Sequence, residues 1–433
     1  MKNILIVAPQ FPPSNLAAVH RTRLFAQHLP SLGWNPIILT VQEDYYEEVL
    51  DWKLHKLLPS YLRVEKVAAF AITKPRLIGD VGLRAYFQLR RRALELTRLE
   101  KIEFIYIPIP SFYMALLGPY LFRKTGIPYG IDYIDPWVHF FPGSNQLFSR
   151  HWFSTQLAKM LEPVAVKNAS LITGVSDGYF QPVLERNPHL KLKVVTAAMP
   201  YGGEETDHEF IRKLTSDKRD GIVLPPKTTN AFQFVYAGAM LPKAYKPLEE
   251  IFKALSNSNS FQLPEFPLTI TFHFIGTLGT IKPIAEKFSL WQSVVFEHPD
   301  RIPYLDVLKN LDAADGIFIL GSTEPHYTPS KVFQGVLSQK PILAVLHQES
   351  SAVKVLQASK AGQCILMNEE EDLDTLGERF IYQMKQFLTW ANTFDPSAVD
   401  AKAFDQYSAK TVTKQLVESI EKALTKGSHQ KTI

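Results

Sequence analysis

Cysteine is nearly missing: Cys364 stands alone among 433 residues. That excludes an internal disulfide and a cysteine-built zinc site, and it fits a reducing compartment. An apolar leader is missing too, because the run at residues 4–8 is too short for a secretory core and meets Pro9 and the Pro12-Pro13 pair. Long uncharged runs are scarce. The one at residues 104–122 is interrupted by Pro108, Pro110 and Gly118-Pro119, so it reads as a buried strand followed by a core helix rather than a membrane span. Internal repeats and low-complexity tracts are also absent, and the basic residues are too spread for a nucleic-acid recognition motif. A cytoplasmic protein without nucleic-acid function is expected.

What remains is the composition of a globular protein, with 46% apolar and 21% charged residues. The length suits two domains better than one core. Charge is unevenly spread: residues 1–200 carry 23 Lys/Arg against 15 Asp/Glu, and the rest 24 against 28. A basic N-terminal half suits an anionic partner, such as a membrane surface or a phosphate-bearing acceptor.

Short apolar runs alternate with helical-period stretches. Strands are expected at residues 3–8, 36–40, 104–107, 129–132, 171–174 and 193–196, with a helix over 17–32. The pattern lapses between about 200 and 230, where Gly202-Gly203 and Pro225-Pro226 mark a linker. It restarts with strands at 232–237, 268–276, 294–297, 316–320, 342–345 and 364–367, and helices at 246–256, 373–392 and 398–425. Such alternation means parallel sheets covered on both faces, with ligands at the carboxyl ends of the strands. The expected division is an N-terminal domain over 1–200, a linker over 201–230, a C-terminal domain over 231–395, a helix over 396–426 packing back toward the N-domain, and a disordered tail over 427–433.

The most informative stretch runs from a buried strand at 316–320 through a polar loop to Pro329-Ser330-Lys331, which opens a helix. Proline fits the first helical position because its missing N–H would go unpaired there. Free N–H groups and the helix dipole favour an anion, and Lys331 adds a mobile positive charge. Lys243 and Lys246, after the strand-end Gly238, suit a dianion as well. Asp132 and Asp135 close a predicted strand, with His139 nearby, although Asp135 would also serve to cap the turn into Pro136.

The segment TPSKVFQGVLSQKPILAVL (328–346) resembles the donor-helix block of glycosyltransferase family 4 and related GT-B enzymes of bacterial polysaccharide synthesis. Residues 4–40, 129–138, 169–179, 199–210, 234–255 and 301–316 are similar, in order, to further blocks of that family. The resemblance implies an α/β GT-B fold, two Rossmann-like doubly wound parallel-sheet domains facing across a crevice. It implies a nucleotide-diphosphate sugar held by the C-domain, a glycan or lipid-linked acceptor held by the N-domain, and retention of configuration. Donor-binding residues would be Gly238, Lys243, Lys246, Arg301, Ser330, Lys331 and Gln334. His20, Arg21, Asp132 and His139 would serve the acceptor, and Asp135, Glu324 and His326 the chemistry. The family has two glutamates where this chain has His326 and Gln334, so a non-catalytic subunit that binds a sugar nucleotide or a partner transferase is a second reading, and a GT-B epimerase a third. No metal and no cofactor is expected, since the cations would meet the diphosphate charge. Aromatic residues and arginines in the N-domain, among them Phe148, Arg150, Trp152 and Phe153, suit peripheral contact with an anionic membrane.

Overall fold

The computed structural model describes residues 1–73, 79–138, 146–214, 219–228, 231–257, 262–263, 266–325, 327–368 and 373–430. His139 and His326 lie outside the described residues. The chain forms two compact units, Met1–Gly202 with Ala409–Ile433, and Gly203–Ser408.

The first unit is built on seven strands: β1 (Lys2–Val7), β2 (Trp34–Val41), β3 (Arg63–Val67), β4 (Ile102–Ile109), β5 (Tyr129–Tyr133), β6 (Leu171–Gly174) and β7 (Val195–Ala198). They lie in the order β3-β2-β1-β4-β5-β6-β7, and every neighbouring pair is parallel. Successive side chains point to opposite faces, so the unbroken apolar run of β1 serves two cores. Leu5 and Val7 join the larger cluster with Ile37, Leu39, Ile105 and Ile107. Ile4 and Ile6 join another with Phe104, Tyr106 and Leu171. That second cluster is closed by the helix Ala17–His28 and by Val412, Leu416 and Ile420 of the last helix, Ala409–Gln430. Each such fully buried aliphatic side chain contributes about 2 kcal/mol.

The second unit carries β8 (Ala231–Ala237), β9 (Gln262–Leu263), β10 (Phe266–Ile275), β11 (Val295–His298), β12 (Gly316–Leu320), β13 (Ile342–His347) and β14 (Gly362–Met367). Six are parallel in the order β11-β10-β8-β12-β13-β14, and β9 pairs antiparallel with β10. In each sheet the chain first builds outward on one side of its first strand and then returns to the other side. The order therefore reverses between β1 and β4, and again between β8 and β12. Ligands of doubly wound sheets bind at the carboxyl end of such a reversal.

The structure departs from the expected elements in identifiable places. β3 was not expected, because its sequence RVEKV alternates charge with valine. It is an edge strand, and Arg63 and Glu65 are held by Glu100 and Arg92 at 2.5 and 2.9 Å. Residues 203–230 are not a linker but part of the second unit, and they contribute the helix Glu205–Lys213, which buries Asp207, His208 and Ile211. The helix expected over 398–425 is broken: Ala401–Phe404, a tight turn at Asp405–Tyr407, extended Ser408, then Ala409–Gln430, which runs into the stretch expected as a disordered tail. Among the described residues no helix is long and apolar enough to cross a membrane.

Candidate functional site

In the second unit the loops leaving β8 and β12 bring together Gly238, Tyr236 and Lys331. Gly238 has φ +121°, which only glycine adopts without strain, and a Cβ there would meet the Lys331 side chain 3.5 Å away. Gly276, after β10, has φ +75°, and a Cβ there would meet only the backbone of Asp300, Arg301 and Gly238, at 3.9 to 4.0 Å. Glycines thus stand where β8 and β10 end, with the Lys331 side chain against the first and exposed Arg301 beside the second.

Lys331 is the first residue of the helix Lys331–Leu337. The helix was expected to begin at Pro329 with Ser330 inside it. Instead Val332 and Phe333 donate to the carbonyls of Pro329 and Ser330 at 3.1 and 3.3 Å, which uses up two amides that an anion would have met. Ser330 makes no side-chain cap. The positive charge of the site thus rests on the lysine rather than on the helix start. Lys331 Nζ lies 3.6 Å from the centroid of the Tyr236 ring. It has no hydrogen-bond partner among the described residues. The residue as a whole is half-buried but its ammonium is enclosed, and this burial lowers its pKa to about 7. The ring face attracts the cation, yet does not replace the hydration it has lost.

Lys243 reaches Glu324 at 3.4 Å, so these two residues do meet, and Ser322 Oγ also donates to Glu324 at 3.3 Å. Lys246 is exposed on the first turn of the helix Tyr245–Asn257, with no contact to Lys331 among the described residues. Gln334 is engaged by a residue the sequence reading passed over: His208 Nε2 and Gln334 Oε1 are 2.9 Å apart. Burial lowers the His208 pKa, so the ring is neutral, Nε2–H donates and the buried Nδ1 is left without a partner among the described residues. The Gln334 amide nitrogen remains for a ligand. The signal for His208 was the spacing of Asp207, His208 and Ile211 on one helical face.

In the first unit, Arg21 and Asp132 bind each other. Both are buried and paired, with Arg21 Nε 2.6 Å from Asp132 Oδ2. Arg21 also donates to the carbonyls of Met199 and Pro200 at 2.9 and 2.7 Å, and Asp132 accepts from Thr173 at 2.7 Å. Burial, the largest single influence, lowers the Arg21 pKa, but the charge and hydrogen bonds of Asp132, helped by Tyr106 and Tyr201, together outweigh it and raise it. The bonds described engage both of these expected acceptor residues within the fold. His20 is bonded to Asn15 at 2.7 Å, and burial, followed by the Arg23 charge, lowers its pKa to about 3. Asp135 follows β5 at the carboxyl edge. The residue is exposed, and desolvation by the surrounding protein raises its pKa to about 6.

No family model matches the sequence, and no curated protein matches it. Solved structures do match. The glycosyltransferase from Rickettsia africae ESF-5 shares 15% identity with a TM-score of 0.61, covering 98% of each chain. HepE of Anabaena in complex with UDP-glucose shares 15% with a TM-score of 0.62, over 98% of this chain and 100% of that one. UDP-GlcNAc 2-epimerase from Neisseria meningitidis, bound to UDP-GlcNAc, shares 13% with a TM-score of 0.54, over 98% and 100%. The two parallel sheets and these likenesses define the GT-B fold, with two Rossmann-like units. That fold carries both sugar transferases and epimerases among the structures matched.

Proposed function

We propose that this chain is a glycosyltransferase that moves a sugar from a nucleotide-diphosphate sugar to a glycan or lipid-linked acceptor, with retention, in cell-surface polysaccharide synthesis on the cytoplasmic side. The observation that carries this reading is the Lys331 ammonium, enclosed against Gly238 and without a hydrogen-bond partner among the described residues. An unpaired buried cation is costly and a diphosphate satisfies it. Lys331, with Lys243 and Arg301 nearby, stabilises the leaving diphosphate, so the charge is met by the protein itself and no cofactor takes part. The Gln334 amide nitrogen bonds the donor ribose, and the Asp135 carboxylate orients the reacting sugar or acceptor. HepE, a structure of the same fold, was solved with UDP-glucose, which supports a nucleotide-sugar donor.

A GT-B epimerase is the second reading, favoured by the likeness to UDP-GlcNAc 2-epimerase. The same phosphate site would serve both reactions, so the product separates them: a new glycoside with free nucleotide diphosphate, or an isomerised nucleotide sugar. UDP-, GDP-, dTDP- and CMP-sugars should be screened for thermal stabilisation of the purified chain, followed by product analysis. A donor present at 100 times its Kd adds about 2.7 kcal/mol of stability. If no nucleotide sugar stabilises the protein, the donor site is refuted. Binding without turnover on any acceptor would leave the non-catalytic subunit.

A further inference from the structure

The helix Arg150–Val166 packs Thr155, Ala158, Glu162, Ala165 and Val166 against the first unit. Its opposite side is apolar as well. Phe153, Leu157, Met160 and Val164 are exposed by 55%, 38%, 67% and 52%, and their spacing sets them in a single stripe along the helix. Leu147 and Phe148, just before the helix, extend the stripe at 70% and 76% exposure. Phe148, Trp152 and Phe153 hold one another in an aromatic cluster with ring centroids 5.0 to 6.3 Å apart. A water-facing helix ordinarily carries polar residues on such a stripe, and contiguous exposed apolar surface marks a contact site.

The exposed charges on this helix and on the helix Leu117–Thr125 have one sign. Arg150, Lys159 and Lys167 are exposed on the helix and at its end, and Arg123 and Lys124 are exposed on the helix Leu117–Thr125, which packs beside it. The one acid within residues 146–167 is Glu162, which is 1% exposed and paired with Arg186 at 2.8 Å. Residues 117–125 contain no acid. Two copies of this face would set basic residues against basic residues, which disfavours self-association. An anionic surface that also offers hydrocarbon satisfies both features.

We propose that this face docks the protein onto an anionic lipid bilayer. The helix lies in the plane of the interface, Phe148, Phe153 and Met160 enter the headgroup–acyl boundary, and the flanking lysines and arginines meet the lipid phosphates. The proposal does not depend on the donor site, since neither Lys331 nor its surroundings take part.

The test is flotation of the full chain, free of nucleotide, with phosphatidylcholine vesicles with and without phosphatidylglycerol. Binding should require phosphatidylglycerol and fall as salt is raised. Phe153→Ser and Met160→Ser should each weaken it about tenfold, and Lys159→Glu and Lys167→Glu at least about fivefold each. All four variants should keep the parent's unfolding temperature and its binding of nucleotide sugar, because the altered side chains face solvent. Three results overturn the proposal. The parent ignores phosphatidylglycerol vesicles, the variants bind them as the parent does, or sedimentation shows a dimer that Phe153→Ser abolishes. Failure to bind any nucleotide sugar, with flotation intact, counts against the donor site alone.

Discussion

Arg21 and Lys331 are both cations taken out of water, one in each unit, and their surroundings are opposite. Arg21 has a carboxylate and two carbonyls within 2.9 Å, so its desolvation is offset by bonds that belong to the fold. Lys331 has an aromatic ring 3.6 Å away and no hydrogen-bond partner among the described residues. The first arrangement is satisfied within the fold. The second stays unfavourable until something anionic arrives. Satisfaction, rather than charge or burial, separates these two cations, and under the proposed function it marks Lys331 as the one that binds.

The comparison can be broken most forcefully at Arg21. Arg21→Ala leaves Asp132 buried and unpaired, which should cost about 3–5 kcal/mol and lower Tm by about 10 °C. An unchanged melting curve would show that the pair is not the anchor described. Asp135 is the acidic counterpart of Lys331, since desolvation alone moves its pKa. Asp135→Asn should lower kcat/KM about 100-fold. The wild-type rate should fall as the carboxylate takes up a proton below about pH 6, a limb the variant lacks. A variant that keeps that limb would assign it to another group.

Lys331→Met keeps the stem and removes the charge. Affinity for the donor that best stabilises the wild type should drop about 100-fold, while the ligand-free protein becomes no less stable, by calorimetry on both. Equal losses of affinity and stability would place Lys331 with Arg21. The smallest effect is on pH dependence. The Lys331 pKa is lowered from 10.5 to about 7 in the fold, so between those values the unfolded chain holds the proton more firmly. Stability of the ligand-free protein should therefore rise with pH through that window, relative to Lys331→Met. Above about pH 7, donor binding should take up a proton, visible as a buffer-dependent heat of binding. A heat independent of buffer would mean that Lys331 stays charged.

Much of the fold was legible because buried parallel strands advertise themselves as apolar runs. Leu171–Gly174 and Gly316–Leu320 were read to the residue, and the helix expected at 246–256 runs Tyr245–Asn257. β3 escaped because an edge strand tolerates charge, and Glu205–Lys213 escaped because nearby glycines and prolines resemble a linker. The anion site was legible only in part. Lys331 and Gly238 stand out by motif position, but the meeting of Lys243 with Glu324 and the tightened first turn after Pro329 depend on the folded backbone. The pairing of Arg21 with Asp132 spans 111 residues, and nothing local in either segment announces it.

The last helix has a consequence for how this protein is made. Val412, Leu416 and Ile420 help close the core formed by Ile4, Ile6, Phe104 and Tyr106, yet they leave a ribosome only after the whole of Gly203–Ser408. At ~5–20 residues per second, that face of the first sheet waits on the order of 10–40 seconds for its cover. The second unit, Gly203–Ser408, is synthesised entirely within the interval. The unit begun first is thus completed after the second, and a nascent chain stalled before residue 409 leaves part of that apolar face uncovered for whatever chaperone attends it.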